Sequence, residues 1–498
     1  MINNLIQAIS NQAHQHPQRI AFDYLGQTET YATLEQQSSQ LAACLQESEL
    51  DNGPILVFGG QTFDMLVAFL GSVKAGRAFI PVDVNSAPDR VVSILETAQP
   101  ALVIAVEPLP VHVKPRVLNF DDLQSIYRTF EPVSKDVDTK GSDVFYTIFT
   151  SGTTGNPKGV QISHTNLLSF VNWMDDWVDY QQQNVLLQPS FSFDLSVMAI
   201  YPTLANGGTL KVLPKQSTDN FMLMFAALPK MKLNLWISTP SLIDICLLDP
   251  NFDQHHYPDL KTFIFCGEEL THQTAAKLKQ RFSDAHIYNT YGPTEATVAV
   301  TRVEITTAIL AKYERLPIGY VKPDTQILID TNAHDTKGEL LICGPSVSKG
   351  YLNNPRKTAQ VFEHPGQYQL YRSGDLGYYE DQLLFYNGRT DFQIKLNGYR
   401  IELEEVNHYL ANLALIKQGV AVPKYDQNHK VKQLVAVVVP QESTAADSTL
   451  VSSLKQQLSH NIMPYMMPQR FIFKDQLPLS ANGKVDIKAL IAGVNVND

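Results

Sequence analysis

The sequence predicts a multi-domain α/β protein: a large N-terminal domain of layered sheets carrying a β-rich subdomain, then a small, mobile α+β lid. Three observations carry that prediction. Short apolar runs alternate with helix-period segments through the first several hundred residues, the texture becomes Gly/Pro-punctuated and β-like after about residue 310, and a distinct α+β segment follows residue 390. A chain of 498 residues is also too long for one compact core. The domains are expected at 1–390 and 391–498.

The alternation is clearest at the start. Ile55–Phe58 reads as a buried strand that ends at Gly59 and Gly60, after which Thr62 is placed to cap a helix with Asp64 in its first turn. Phe63, Leu66, Val67, Leu70 and Val73 fall at helical spacing, Gly76 stops the helix, and Ala78–Ile80 resumes as a strand before Pro81. Ala101–Ile104, Asn234–Ile237 and Thr262–Phe265 repeat the strand pattern, which implies mainly parallel sheets. Gln326–Ile329 and Glu339–Ile342 read as strands of a mostly antiparallel subdomain. The last segment has a helix near Leu403–Leu413, a strand at Leu434–Val439 and a helix from Ser448 to about Leu458.

Composition narrows the function. The apolar fraction of 44% suits a globular protein, and a net charge of −11 disfavours nucleic acid or an anionic membrane as partner. The N-terminus lacks the pattern of a secretion signal, and no apolar stretch is long enough to span a bilayer, so a reducing cytoplasm is expected. Cys44, Cys246, Cys266 and Cys343 are far apart, without metal-ligand spacing. Cys44, Cys246 and Cys343 read as buried small hydrophobes.

Four motifs carry chemistry. TSGTTGNPKG, Thr150 to Gly159, follows the β-prone run Val144–Phe149; its glycines let amides converge on phosphate oxygens, beside the hydroxyls of Thr150, Ser151, Thr153 and Thr154 and the charge of Lys158. It lacks the Gly-Lys-Ser/Thr ending of a P-loop. NTYGPTEA, Asn289 to Ala296, follows the strand-like run Ala285–Tyr288; Tyr291 offers a face for a base and Glu295 a carboxylate for Mg²⁺, or Thr294 and Glu295 simply begin a helix. In YRSGDLG, Tyr371 to Gly377, an ionised Asp375 can accept from vicinal ribose hydroxyls, and Arg389 in the following YNGRTD is a fork-shaped donor. PLSANGKVD, Pro478 to Asp486, sets Lys484 after an Asn-Gly turn, where a lone lysine is ordinarily a solvated surface charge.

In this order, these motifs resemble the adenylate-forming ligase superfamily of acyl-CoA synthetases, luciferases and peptide-synthetase adenylation domains. The resemblance runs from VKAGRAFIPVD (Val73–Asp83) to Lys484. It implies ATP and Mg²⁺ as cofactors, with Thr150 and Ser151 opening the phosphate loop. Asn289, Thr290, Tyr291, Gly292, Pro293 and Thr294 would line the adenine and phosphate site, and Glu295 would contact Mg²⁺. Asp375 would take the ribose hydroxyls, Tyr386, Asn387, Gly388 and Arg389 would complete the nucleotide site, and Asp391 would be the hinge of the lid. Lys484 would be catalytic, bridging substrate carboxylate and phosphate.

FDLS, Phe193 to Ser196, resembles the amino-acid-activating members, in which an aspartate at Asp194 meets the substrate ammonium; the bland alternative is a helix N-cap. Adenylation domains of peptide synthetases usually carry glycine where FCGEEL places Cys266. Cysteine there, with the run NTYGPTEATVAVT, is similar to the branch that activates D-alanine for the phosphopantetheine thiol of a D-alanyl carrier protein, at the first step of lipoteichoic acid D-alanylation. Cys266 and Val298 would then be pocket walls. With about a dozen residues after Lys484, the carrier is expected in trans to a monomeric enzyme. The alternatives are a stand-alone enzyme for glycine or L-alanine, a small-acid coenzyme A ligase and a catalytically dead nucleotide-binding regulator.

Overall fold

The computed structural model describes residues 1–133, 141–152, 157–331, 336–426, 430–441, 448–478 and 485–495. They form two compact units. One comprises Met1–Val84, Ala98–Phe149 and Gly159–Thr390, the other Asn85–Thr97, Thr150–Lys158 and Asp391–Asp498.

The first unit contains three sheets. A six-stranded sheet has Ile55–Gly59 at its centre, paired in parallel with Phe79–Asp83 and Leu102–Ala105. Ile55–Gly59 is buried along its whole length, which is why it reads as an unbroken apolar run. The helix Phe63–Lys74 follows, and Thr62 holds the extended N-cap conformation without a side-chain capping bond, so Asp64 alone complements the first turn. The next strand runs through Pro81, further than the sequence suggests. Its pairing with Val144–Thr150 is confined to Phe79–Tyr146, so the missing N–H of Pro81 breaks no bond on that side.

The nine-stranded sheet positions the site. Five ladders join Ile20–Tyr24, Thr209–Val212, Asn184–Leu187, Leu235–Ser238, Thr262–Phe265 and His286–Tyr291 in parallel, with antiparallel strands at both edges. Their carboxyl ends therefore share one edge, where open α/β sheets bind ligands. Thr262–Phe265 delivers Cys266, and His286–Tyr291 delivers Gly292.

The third sheet is antiparallel and five-stranded. Its long strand Leu370–Glu380 pairs with Leu383–Arg389, and the register slips between Asp375↔Arg389 and Gly377↔Tyr386. This bulge re-aims side chains and sets Asp375 opposite Arg389.

In the second unit, Gln393–Leu396 and Tyr399–Glu402 form a hairpin whose turn residues Asn397 and Gly398 have φ of 51° and 83°. An Asn-Gly pair is suited to a turn that needs two positive φ values. The helix Leu403–Ala411 and the sheet of Ile416–Tyr425, Val431–Pro440 and Arg470–Phe473 enclose a core that includes Val406, Leu410, Val438 and Leu454. Among the described residues no helix is long and apolar enough to cross a membrane. Cys44 and Cys246 are buried; Cys343, at a strand end, is only partly so.

Asp175 closes the helix His164–Asp175, where a negative charge opposes the helix dipole. Burial pushes its carboxyl up to about 6, against the pull of the Asn206 amide bonded to it at 2.9 Å. The folded state thus holds this proton more tightly than the unfolded chain. Its contribution to stability is present below the unfolded value and is lost as pH rises through about 6. Asp175→Asn is expected to stabilise the protein at pH 8 by about 1–2 kcal/mol and to change little at pH 4, read from thermal unfolding at both pH values.

Candidate active site

Asp375 is the centre of one cluster. It is 2% exposed, accepts from the Tyr291 hydroxyl at 2.5 Å and from Arg389 Nη1 at 2.5 Å, and donates its own amide to Ser373 Oγ at 3.0 Å. Burial and the Asp375 charge hold the Tyr291 phenol well above its usual value, so it stays a donor. A carboxylate has about four acceptor positions, so two remain for a pair of hydroxyls. The Tyr386 ring lies 6.4 Å from that of Tyr291, and the Arg315 guanidinium lies 5.8 Å from the Tyr386 ring while gripping Glu269 through two 2.9 Å bonds. Asn387 accepts from Lys337 at 3.4 Å, and Gly388 takes a φ of 97°.

The structure thus brings Tyr291, Asp375, Tyr386 and Arg389 together. Asn289 and Thr290 are directed elsewhere: Asn289 Nδ2 donates to the Pro317 carbonyl at 2.8 Å and Thr290 Oγ1 to that of Phe265 at 2.9 Å. Their side chains fasten neighbouring segments. Pro293 precedes a short 3₁₀ helix, Thr294–Ala296, so the helix-start alternative for Thr294 and Glu295 describes the backbone correctly. Glu295 is fully buried, and one carboxylate oxygen accepts from the Tyr351 hydroxyl at 2.8 Å. Among the described residues no three acidic, His or Cys side chains gather as a metal site. A single carboxylate such as Glu295 fits Mg²⁺ only if nucleotide phosphates and water complete its shell.

A second cluster lies at the carboxyl ends of the parallel strands. Cys266 is 3% exposed, and its thiol points at the Val298 carbonyl, 3.7 Å away. Asp194 is buried at the N-cap position of the helix Leu195–Ala205, as the helix N-cap alternative expects, although its side chain makes no capping bond. Its charge helps push up the Tyr146 phenol, already raised by burial. Sequence reasoning missed what holds the preceding loop. Ser190 donates to Asp83, and Gln61 Nε2 donates to the carbonyls of Gln188 at 2.7 Å and Pro189 at 3.1 Å. Asp83 was in view as the last residue of VKAGRAFIPVD, but nothing local showed its partner.

The phosphate-loop segment belongs to the second unit. The Thr150 hydroxyl is buried and has no hydrogen-bond partner among the described residues, and Ser151 Oγ donates to the Arg400 carbonyl at 3.0 Å. The Gly152 amide donates to one oxygen of Glu405 at 3.2 Å, while Arg90 Nη1 holds the other at 2.9 Å. An orphaned hydroxyl beside an amide that already meets an anionic oxygen is chemistry suited to phosphate. Arg90 and Glu405, 6% and 2% exposed, were not foreseen; 315 positions apart, they leave no spacing signal. Thr153, Thr154 and Lys484 lie outside the described residues. The Asp391 carboxylate accepts from the Gln393 amide at 3.2 Å, at the point where the chain re-enters the second unit.

Within the first unit, then, one cluster sets a buried carboxylate among hydrogen-bond donors and aromatic rings, and another sets a buried thiol beside a backbone carbonyl at the strand ends. Residues 9–352 match the AMP-binding enzyme family and residues 405–484 its C-terminal domain, and the chain belongs to that family. Along its length the chain is 54% identical to a D-alanine–D-alanyl carrier protein ligase of Lactiplantibacillus plantarum, over 99% of this chain and 100% of that one. Ligases of the same name from Lacticaseibacillus paracasei and Streptococcus equi subsp. equi are 52% and 46% identical over the same shares. The fold is shared with the Vibrio cholerae adenylation domain AlmE, solved with glycyl-adenosine-5'-phosphate: TM-score 0.83, 23% identity, covering 98% of this chain and 96% of that one. It is shared as well with PA1221, a protein containing adenylation and carrier domains: TM-score 0.80, 22% identity, covering 98% and 84%.

Proposed function

We propose that this chain activates D-alanine as D-alanyl-AMP and transfers the alanyl group to the phosphopantetheine thiol of a D-alanyl carrier protein supplied in trans. The observation that carries the reading is the 54% identity, end to end, with a ligase of that name. The Cys266–Val298 contact at 3.7 Å supports it, since a small, closed wall suits a methyl side chain. We place the enzyme in the cytoplasm as a monomer, at the entry to lipoteichoic acid D-alanylation.

In the first half-reaction a carboxylate oxygen of D-alanine attacks the α-phosphorus of ATP, and the bond to pyrophosphate breaks. Asp194 pairs with the substrate ammonium through a charge-assisted bond. Asp375 accepts the ribose hydroxyls, Arg389 and Tyr291 hold that carboxylate in place, and Thr150 and Ser151 meet phosphate oxygens. Glu295 would hold Mg²⁺, which would supply charge neutralisation. Lys484 supplies a positive charge, so catalysis is alignment and electrostatics rather than covalent participation. In the second half-reaction the carrier thiolate attacks the acyl carbon, and AMP leaves. The two steps need different groups at one centre; rotation of residues 391–498 about Asp391, against the core of residues 1–390, meets that need.

Amino-acid-dependent ATP–pyrophosphate exchange with D-alanine, L-alanine and glycine side by side tests the reading. D-alanine should dominate; preference for either of the others overturns the substrate, and no exchange with any of them overturns the activity. Cys266→Ala should enlarge the pocket and reduce the D-over-L ratio by roughly tenfold, the scale of one methylene of mismatch. An unchanged ratio removes Cys266 from selectivity.

A further inference from the structure

The Cys266 thiol meets the backbone carbonyl of Val298, so the pocket wall is a piece of main chain whose conformation needs explaining. Thr297 and Val298 have φ of +56° and +69°, and among the described non-glycine residues with positive φ they alone are β-branched. Such residues strongly disfavour this region. The Ala299 amide donates to the Thr297 carbonyl at 2.8 Å, closing a three-residue turn around Val298. With positive φ at its centre this is the rare and strained form of γ-turn. A strained turn persists only where its surroundings over-determine it.

Those surroundings are visible. The Val300 amide donates to the Tyr291 carbonyl at 2.8 Å, and the Thr297 amide to that of Thr294 at 3.1 Å. Gly292 lies beneath the turn so closely that a Cβ there would come within 2.5 Å of Ala299 Cα and 2.8 Å of the Val298 oxygen. One anchor is a side chain. Thr297 Oγ1, fully buried, donates to the Ser346 carbonyl at 2.7 Å, tying the turn to a segment 49 residues away.

We propose that Thr297 is a positioning residue for stereoselectivity: its hydroxyl bond to Ser346 holds Val298 in the left-handed conformation that sets the pocket wall against Cys266. This rests on the reading above, in which Cys266 and Val298 enclose the alanine side chain. Thr297 touches no reacting atom and acts through Val298. Valine at position 297 keeps shape and branching but cannot donate to Ser346; serine keeps the donor.

The test is alanine-dependent ATP–pyrophosphate exchange with both enantiomers. Thr297→Val should lower the D-over-L ratio by about tenfold with the KM for ATP within about twofold of wild type, and Thr297→Ser should retain the wild-type ratio. A Thr297→Val protein that melts and binds ATP normally and keeps its D-over-L ratio overturns the proposal. Should Thr297→Val fail to fold, Val298→Gly in the same background decides the matter, since glycine takes positive φ freely. Recovery of folded protein supports a turn strained at Val298, and no recovery overturns it. A wild-type protein without alanine-dependent exchange overturns the functional reading and this proposal together, whereas a D preference that survives in Thr297→Val overturns this proposal alone.

Discussion

Asp375→Asn should raise the KM for ATP by about 100-fold, equivalent to about 2.7 kcal/mol of binding, in D-alanine-dependent exchange. The carboxylate already accepts from Tyr291 and from Arg389, each at 2.5 Å, and the two acceptor positions left are those a ribose diol would use. An amide of the same shape replaces one oxygen with an NH₂ group that can only donate. If that group faces Arg389, two donors meet in a buried site; if it faces the ribose, a hydroxyl loses its acceptor. Either orientation removes a charge-assisted bond, worth about 1.5–3 kcal/mol. Folding should suffer as well, by about 1–3 kcal/mol, although Arg389 keeps the Ser373 carbonyl at 3.3 Å. Urea unfolding of the same preparation separates the two effects. A KM that stays at the wild-type value would leave Asp375 as an anchor for Arg389 and take the ribose from it.

What the sequence discloses depends on the range over which each feature is decided. Strands buried on both faces, such as Ile55–Gly59 and Thr262–Phe265, are written locally as apolar runs and lie within a residue or so of where they read. The helix Ser448–Leu458 likewise follows from its own periodicity. The motif residues Tyr291, Asp375, Tyr386 and Arg389 were identifiable as donors, acceptors and flat faces, but their mutual bonding was not. Asp375 reaches Tyr291 across 84 positions, through a bulge that exists only once two strands are paired. Thr62 shows the opposite failure. Its residue type and position predict a capping bond that the folded chain does not make. The Thr297–Val298 turn is harder still, since local preference argues against it, while the distant Ser346 carbonyl, the backbone bond to Tyr291 and the close packing of Gly292 surround it. Long-range contacts override local propensity most strongly where the chain builds its pocket.

Lys484→Ala should slow formation of alanyl-AMP by about 10²–10³-fold while leaving thiol transfer from preformed adenylate within a few-fold of wild type. The asymmetry follows from where charge develops. During adenylation two anions, the alanine carboxylate and the α-phosphate, must come together, and a positive charge between them stabilises the transition state more than the separated reactants. During thiol transfer that encounter is over; a sulfur attacks an acyl carbon and AMP departs with its charge already formed. Lys484 closes the region matched to the family's C-terminal domain, and its ammonium is a compact point charge of the kind the first step needs. Lys484→Arg should recover only part of the rate, because a planar fork does not occupy the place of a compact point charge. Single-turnover measurements of the two half-reactions, the second started from synthetic D-alanyl-AMP and carrier, read both rates directly. Equal losses in the two steps would mean that Lys484 supports the fold of its segment or the docking of the carrier, since a group acting only on the first transition state leaves the second rate unchanged.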